Sequence, residues 1–216
     1  MNIAIISPHP DDETLGCGGT LLKHNKSGDN LYWIVITKIS REMGYSDNFI
    51  EKRNNQIKEV EKKYNMNNIF KLGYLTANLD NIPLKNLIED IAKIFKKIEP
   101  EIIYLPYKKD IHTDHKITFD AVISCTKSFR YPSIKKILMY ETISETEFAP
   151  PLPETAFQPN CFSDISNYLD KKIEIMKIYD SEIEKHPFPR SKKNIRALAT
   201  YRGATAGVEY AEAFMI

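Results

Sequence analysis

The feature that most constrains this chain is an alternation. Short, β-branched apolar runs at residues 2–7, 31–37, 101–105 and 134–140 are separated by longer segments whose apolar residues recur every three or four positions. Runs that are apolar throughout suit strands buried on both faces, and long helical connections between them suit parallel crossovers. Residues 2–7 (NIAIIS) stop at Pro8 and residues 101–105 (EIIYL) at Pro106, and proline cannot continue a central strand. Helices are expected at 14–25, 47–64, 84–98 and 114–128, with a weak strand at 69–72. The clearest helix is 84–98, where Leu84, Leu87, Ile88, Ile91, Ile94, Phe95 and Ile98 form one apolar stripe. The pattern predicts an α/β fold: a Rossmann-like three-layer sandwich with a mainly parallel sheet in the order 3-2-1-4-5.

After Tyr140 the pattern changes. Pro150, Pro151, Pro153 and Pro159 rule out regular helix or central strand through that stretch. Two more helices are expected, at 167–184 and 192–205, divided by His186-Pro187-Phe188-Pro189. The 216 residues amount to about 1.4 domains at roughly 150 residues each. We therefore expect one domain, with residues 1–140 as its α/β core and 141–216 as a cap of loop and helices.

Composition excludes several classes. Thirty Lys and Arg against twenty-nine Asp and Glu leave a formal charge of +1, so bulk charge draws the chain to neither nucleic acid nor anionic membrane. No apolar run approaches the ~20 residues that span a bilayer. The opening Met-Asn-Ile-Ala-Ile-Ile has no basic n-region or cleavage site, so the expectation is a cytoplasmic protein without membrane insertion. The three cysteines (Cys17, Cys125 and Cys161) form neither a disulfide framework nor a C-x-x-C pair, which fits a reducing compartment.

Chemistry concentrates at two places. The first strand runs into Pro8-His9-Pro10-Asp11-Asp12-Glu13, and the fourth into Asp110-Ile111-His112-Thr113-Asp114-His115. In a 3-2-1-4-5 sheet these strands are neighbours, and the crevice between their carboxyl ends is where ligands bind. Two clusters about a hundred residues apart then meet. Imidazole and carboxylate suit Zn²⁺, and also Fe²⁺ or Co²⁺. A His-x-x-Asp from one turn and a His from the other loop supply three ligands and leave a position for water. The competing reading of either motif is a polar turn that caps a helix, since Asp and Thr both favour that position.

These paired motifs resemble the LmbE-like or PIG-L deacetylases, metal-dependent enzymes that remove N-acetyl groups from glucosamine-type sugars. The resemblance runs nearly end to end, through Arg53, Tyr140-Glu141, Pro187 to Ser191 and the ending Arg202-Gly203…Tyr210-Ala211-Glu212-Ala213-Phe214. It implies His9, Asp12 and His115 as metal ligands and Asp11 as general base. It also implies His112 as the group that stabilises the oxyanion or protonates the leaving amine, with Asp114 orienting it. The implied reaction is zinc-dependent hydrolysis of an N-acetyl group from an acetamido sugar or sugar conjugate, nucleotide-linked ones included.

Arg53, Arg190 and Arg202 are candidates to grip an anionic part of that substrate, such as a pyrophosphate. Gly16, Gly18 and Gly19 lack the spacing of a dinucleotide fingerprint and better serve close approach of helix to strand. Two other functions fit the same residues: a non-catalytic metal- or sugar-binding module, and an amidohydrolase of a non-sugar amide. The expected partner is a small acetamido sugar rather than nucleic acid, and a homo-oligomer is compatible with the sequence.

Overall fold

In the computed structural model, which describes residues 1–216, five strands pair in parallel in the spatial order 3-2-1-4-5. They are β1 (Asn2–Ser7), β2 (Asn30–Lys38), β3 (Asn68–Leu75), β4 (Ile102–Pro106) and β5 (Lys136–Tyr140). Helices α1 (Asp12–Lys26), α2 (Asp47–Tyr64), α3 (Leu84–Ile98) and α4 (Thr113–Ser124) connect them. The sheet divides the core in two. Ile3 and Ile5 of β1 point to one side, among Leu21, Ile57, Val60 and Tyr64. Ala4 and Ile6 point to the other, among Leu87, Ile91, Phe95 and Val122. With both faces covered, the strands need no polar face, which is why they read as continuous apolar runs.

The C-terminal third differs from expectation in one respect. Beyond the proline-rich loop it holds α5 (Leu169–Met176) and α6 (Lys192–Ala206), but it also adds two strands to the sheet. These are β6 (Cys161–Asp164) and β7 (Ala211–Met215), and β7 pairs antiparallel with both β5 and β6, giving the order 3-2-1-4-5-7-6. The segment therefore completes the sheet as well as covering one end of it. The helix expected at 167–184 is confined to α5, and the weak strand at 69–72 lengthens into β3.

The long-range anchor of this segment is ionic. Lys172 Nζ donates to Glu212 Oε1 at 2.7 Å and to the Leu15 carbonyl at 2.8 Å. Glu212 in turn accepts from the backbone N–H groups of Gly19 and Thr20, both at 2.8 Å. Both side chains are buried, so α5, β7 and α1 are held by one satisfied network. Close packing continues at the start of α1. A Cβ on Gly16 would lie 2.2 Å from the Tyr140 ring, and one on Gly19 would lie 2.7 Å from Ile165. No helix is long and apolar enough to cross a membrane.

Candidate metal centre

β1 and β4 are hydrogen-bonded neighbours, so the turns that follow them lie side by side. The turn after β1 is pinned laterally: the Pro8 carbonyl accepts from Thr37 N at 3.0 Å and Thr37 Oγ1 at 2.8 Å, at the end of β2. Asp11 then takes φ 134°, a conformation that costs a non-glycine residue about 1–3 kcal/mol. Its backbone N–H donates to Glu13 Oε2 at 3.0 Å, and its carbonyl receives Thr14 N and Leu15 N, opening α1. The strain turns the Asp11 and Asp12 carboxylates into the crevice instead of leaving them to cap the helix; Asp11 makes no side-chain cap.

Around that crevice, ligand atoms of His9, Asp12 and His115 lie within 4.8 Å of one another. Asp12 Oδ2 is 3.6 Å from His9 Nδ1 and 3.4 Å from His115 Nε2. It is also held by the His9 backbone N–H at 2.8 Å. The outward nitrogens of both rings have carboxylate partners: His9 Nε2 meets Asp114 Oδ2 at 3.0 Å, and His115 Nδ1 meets Asp110 Oδ2 at 2.8 Å. Asp114 is fixed by the N–H groups of Ala77 and Leu79, and Asp110 by Thr146 Oγ1.

The donor set fits a divalent metal. His115 Nε2 is buried and has no hydrogen-bond partner. A ring nitrogen whose opposite nitrogen is tied to a carboxylate is the arrangement that metal-binding histidines use. The electrostatics ask for positive charge at the same point. Burial opposes ionisation of Asp12, yet His115 and His9 hold it down to about 2. Burial likewise opposes charging of His115, yet Asp12 and Asp110 raise it well above the usual imidazole value. A second trio, His9, His112 and Asp114, is as close in space. Its carboxylate is already committed, because Asp114 serves His9 and two backbone amides, and His112 Nδ1 accepts from Asp114 N at 3.1 Å.

The resemblance implies that Asp114 orients His112. The contact exists, but it is the Asp114 backbone N–H that makes it, and the carboxylate supports His9 instead. His112 caps α4, and its ring lies 4.5 Å from that of His9. Burial, with His9 and His115 as neighbours, lowers its pKa to about 4. The ring is thus neutral near pH 7, with Nδ1 accepting and Nε2–H free to donate. Burial and the adjacent Asp12 raise the Asp11 carboxyl well above its ordinary value, against the pull of Arg190.

The three arginines divide. Arg190 Nη1 donates to Asp11 Oδ2 at 2.8 Å and to Glu182 Oε2 at 3.1 Å. Arg53 pairs with the other oxygen of Glu182 and donates to the Pro10 carbonyl at 3.2 Å. Both line the cavity of about 340 Å³ that contains His9, Asp11, Asp12 and His112. Arg202 does not: it grips Glu141 through two bonds of 2.8 and 2.6 Å and lines a different cavity, beside Tyr201 and Phe157. The sequence reading assigned no role to Asp110, Glu13 or Glu182. Asp110 and Glu13 stand inside the two clusters, where a carboxylate next to a ligand histidine or aspartate is itself a signal. Glu182 gave none, because only the fold brings it to Arg53 and Arg190.

The sequence profile described as PIG-L: GlcNAc-PI de-N-acetylase matches residues 4–126. The diacetylchitobiose deacetylase of Thermococcus kodakarensis is 23% identical, over 97% of this chain and 80% of that protein. The probable N-acetyl-alpha-D-glucosaminyl L-malate deacetylase 2 of Bacillus anthracis is 22% identical, over 84% of this chain and 81% of its own. Among solved structures, the N,N'-diacetylchitobiose deacetylase of Pyrococcus horikoshii shares the fold with a TM-score of 0.77. The match covers 99% of this chain and 82% of that one at 21% identity.

Proposed function

This chain belongs to the PIG-L, or LmbE-like, family, and on that premise we propose that it is a zinc-dependent N-deacetylase of an acetamido sugar or sugar conjugate. One observation carries the reading: three ligand side chains converge on a buried, unpartnered histidine nitrogen, with a spare carboxylate, Asp11, lining the same cavity. A module that only bound metal or sugar would have no use for that carboxylate.

His9, Asp12 and His115 hold the ion in this reading. A zinc ion held there would supply Lewis acidity, making water a nucleophile near neutral pH and polarising the amide carbonyl. Asp11 accepts the proton of the attacking water, a task suited to a carboxyl whose pKa burial has raised. His112, neutral and with Nε2–H free, donates to the oxygen of the tetrahedral intermediate. Asp11 then returns its proton to the leaving amine, and acetate and the free amino sugar depart. Arg190 keeps Asp11 aimed into the cavity, and Asp114 and Asp110 hold the two ligand rings.

The three cysteines are free, and we read the protein as cytoplasmic. The chelated and dialysed protein, supplied with zinc, is expected to release acetate from N,N'-diacetylchitobiose or N-acetylglucosamine conjugates. Acetate release that does not depend on added metal contradicts the reading.

A further inference from the structure

We propose that Tyr179 is a positioning residue for proton transfer: its hydroxyl grips Glu13, and Glu13 holds the strained backbone that aims Asp11 into the cavity. The inference rests on the deacetylase reading and adds to it a residue that does not line the cavity.

A non-glycine residue keeps φ 134° only where its surroundings over-determine it. Three parts of Asp11 are held. Its carbonyl accepts from Thr14 N and Leu15 N, as the start of a helix provides. One carboxylate oxygen accepts from Arg190 at 2.8 Å. The backbone N–H, which φ orients relative to the side chain, goes to Glu13 Oε2 at 3.0 Å. Glu13 is therefore the brace of the turn, and a brace must itself be fixed.

Three donors fix the fully buried Glu13 carboxylate, and the Asp11 N–H is one of them. Thr14 Oγ1 donates to Oε1 at 2.7 Å, but Thr14 belongs to the same turn and moves with it. Tyr64 Oη supports Thr14 from behind at 3.1 Å. Tyr179 Oη, at 3.0 Å from Oε1, is the one donor to Glu13 that comes from outside the turn.

Tyr179 is anchored at more than its hydroxyl. It follows α5, with its N–H on the Met176 carbonyl at 3.1 Å, and its side chain is fully buried. Gln56 of α2 donates to the Ile178 carbonyl at 2.7 Å and to Asp180 Oδ1 at 2.8 Å, clamping the chain on both sides. The Arg53 guanidinium lies 5.6 Å from the centre of the Tyr179 ring. Three residues on, Glu182 pairs with Arg53 and Arg190. Residues 178–182 thus reach Asp11 by two routes, its backbone through Tyr179 and Glu13, its carboxylate through Glu182 and Arg190. A phenylalanine would fill the same space, so the bond to Glu13 is what the hydroxyl adds. Rigid outer contacts of this kind keep a reacting group in its productive geometry.

Tyr179→Phe tests this, since it removes one oxygen and keeps the ring. In the zinc-loaded variant, kcat for an N-acetylglucosamine conjugate is expected to fall by about 10–100-fold, with KM and zinc content unchanged. Placed in Asp11→Asn, whose base is already gone, the same change is expected to lower the rate no further, as for residues that act as one unit. Hydrogen exchange gives a readout that needs no substrate. The Asp11 amide of Tyr179→Phe is expected to gain about tenfold more in exchange rate than the β1 amides, whereas a merely structural hydroxyl would speed both alike. A kcat equal to wild type, an equal loss in the Asp11→Asn background, or equal gains at Asp11 and β1 overturns the proposal. If no N-acetyl sugar is deacetylated but the Asp11 amide is selectively loosened, the deacetylase reading fails and the brace on Asp11 stands. Should Tyr179→Phe not fold, Glu13→Ala cuts the same brace at its other end and is judged by the same measures and outcomes.

Discussion

Asp110 meets His115 Nδ1 at 2.8 Å, and both side chains are fully buried. With a metal bound, that bond would keep the His115 hydrogen on Nδ1 and leave the Nε2 lone pair for ligation. Asp110→Ala is therefore expected to lower zinc affinity by about 10–100-fold. Competition against a chromophoric chelator measures this, and unchanged affinity contradicts it.

Glu13 links the site to the C-terminal segment. Its Oε1 receives Thr14 Oγ1 at 2.7 Å and Tyr179 Oη at 3.0 Å, and its Oε2 receives the Asp11 N–H. Burial outweighs these donors and pushes its pKa up to about 7. Between the ordinary glutamate range and pH 7, the folded state keeps a proton that the unfolded state has lost. Stability accordingly falls as pH rises through this window, by up to about 3 kcal/mol. Glu13→Gln removes this dependence. Urea unfolding of the metal-free protein at pH 5, 6 and 8 compares the two, and parallel curves exclude the effect.

Gly16 has no room for a methyl group against Tyr140, whose Oη is itself tied to the Ile6 carbonyl at 2.7 Å. Gly16→Ala must displace that ring or α1, and the expected cost is at least about 1–3 kcal/mol. Thermal denaturation reads it directly, and a variant as stable as wild type shows that the contact is looser.

Lys172→Met leaves Glu212 charged and buried among the first turns of α1. Breaking one side of a buried pair costs about 3–5 kcal/mol. Adding Glu212→Gln removes the stranded charge and should recover part of that loss. If the single variant is as stable as wild type, the network does not anchor the C-terminal segment.

The centre of the parallel sheet was legible because β1, β2 and β4 are buried on both faces, and Asn2–Ser7 looks like nothing but such a strand. The meeting of the two His/Asp motifs followed from strand order, whereas His115 as the partner of His9 and Asp12 was implied by the family resemblance. β7 was not legible. Its five residues include the buried Glu212, whose partners Lys172, Gly19 and Thr20 are distant in sequence. The second contact of Asp114, to His9, was not legible for a related reason. Sequence proximity favours His112, whereas the turn of α4 swings the carboxylate toward His9. The arginines were judged by charge, and the carboxylates that neutralise them, Glu182 and Glu141, lie far away in the chain.

The central claim is that Asp11 performs proton transfer beside an ion it does not hold. Its most direct test measures, on one preparation of Asp11→Asn, both bound zinc and acetate release from an N-acetylglucosamine conjugate. The account predicts zinc content equal to wild type and a rate lower by about 10²–10⁴-fold. Full zinc with full activity would contradict it, and loss of zinc together with activity would make Asp11 a ligand instead of the base.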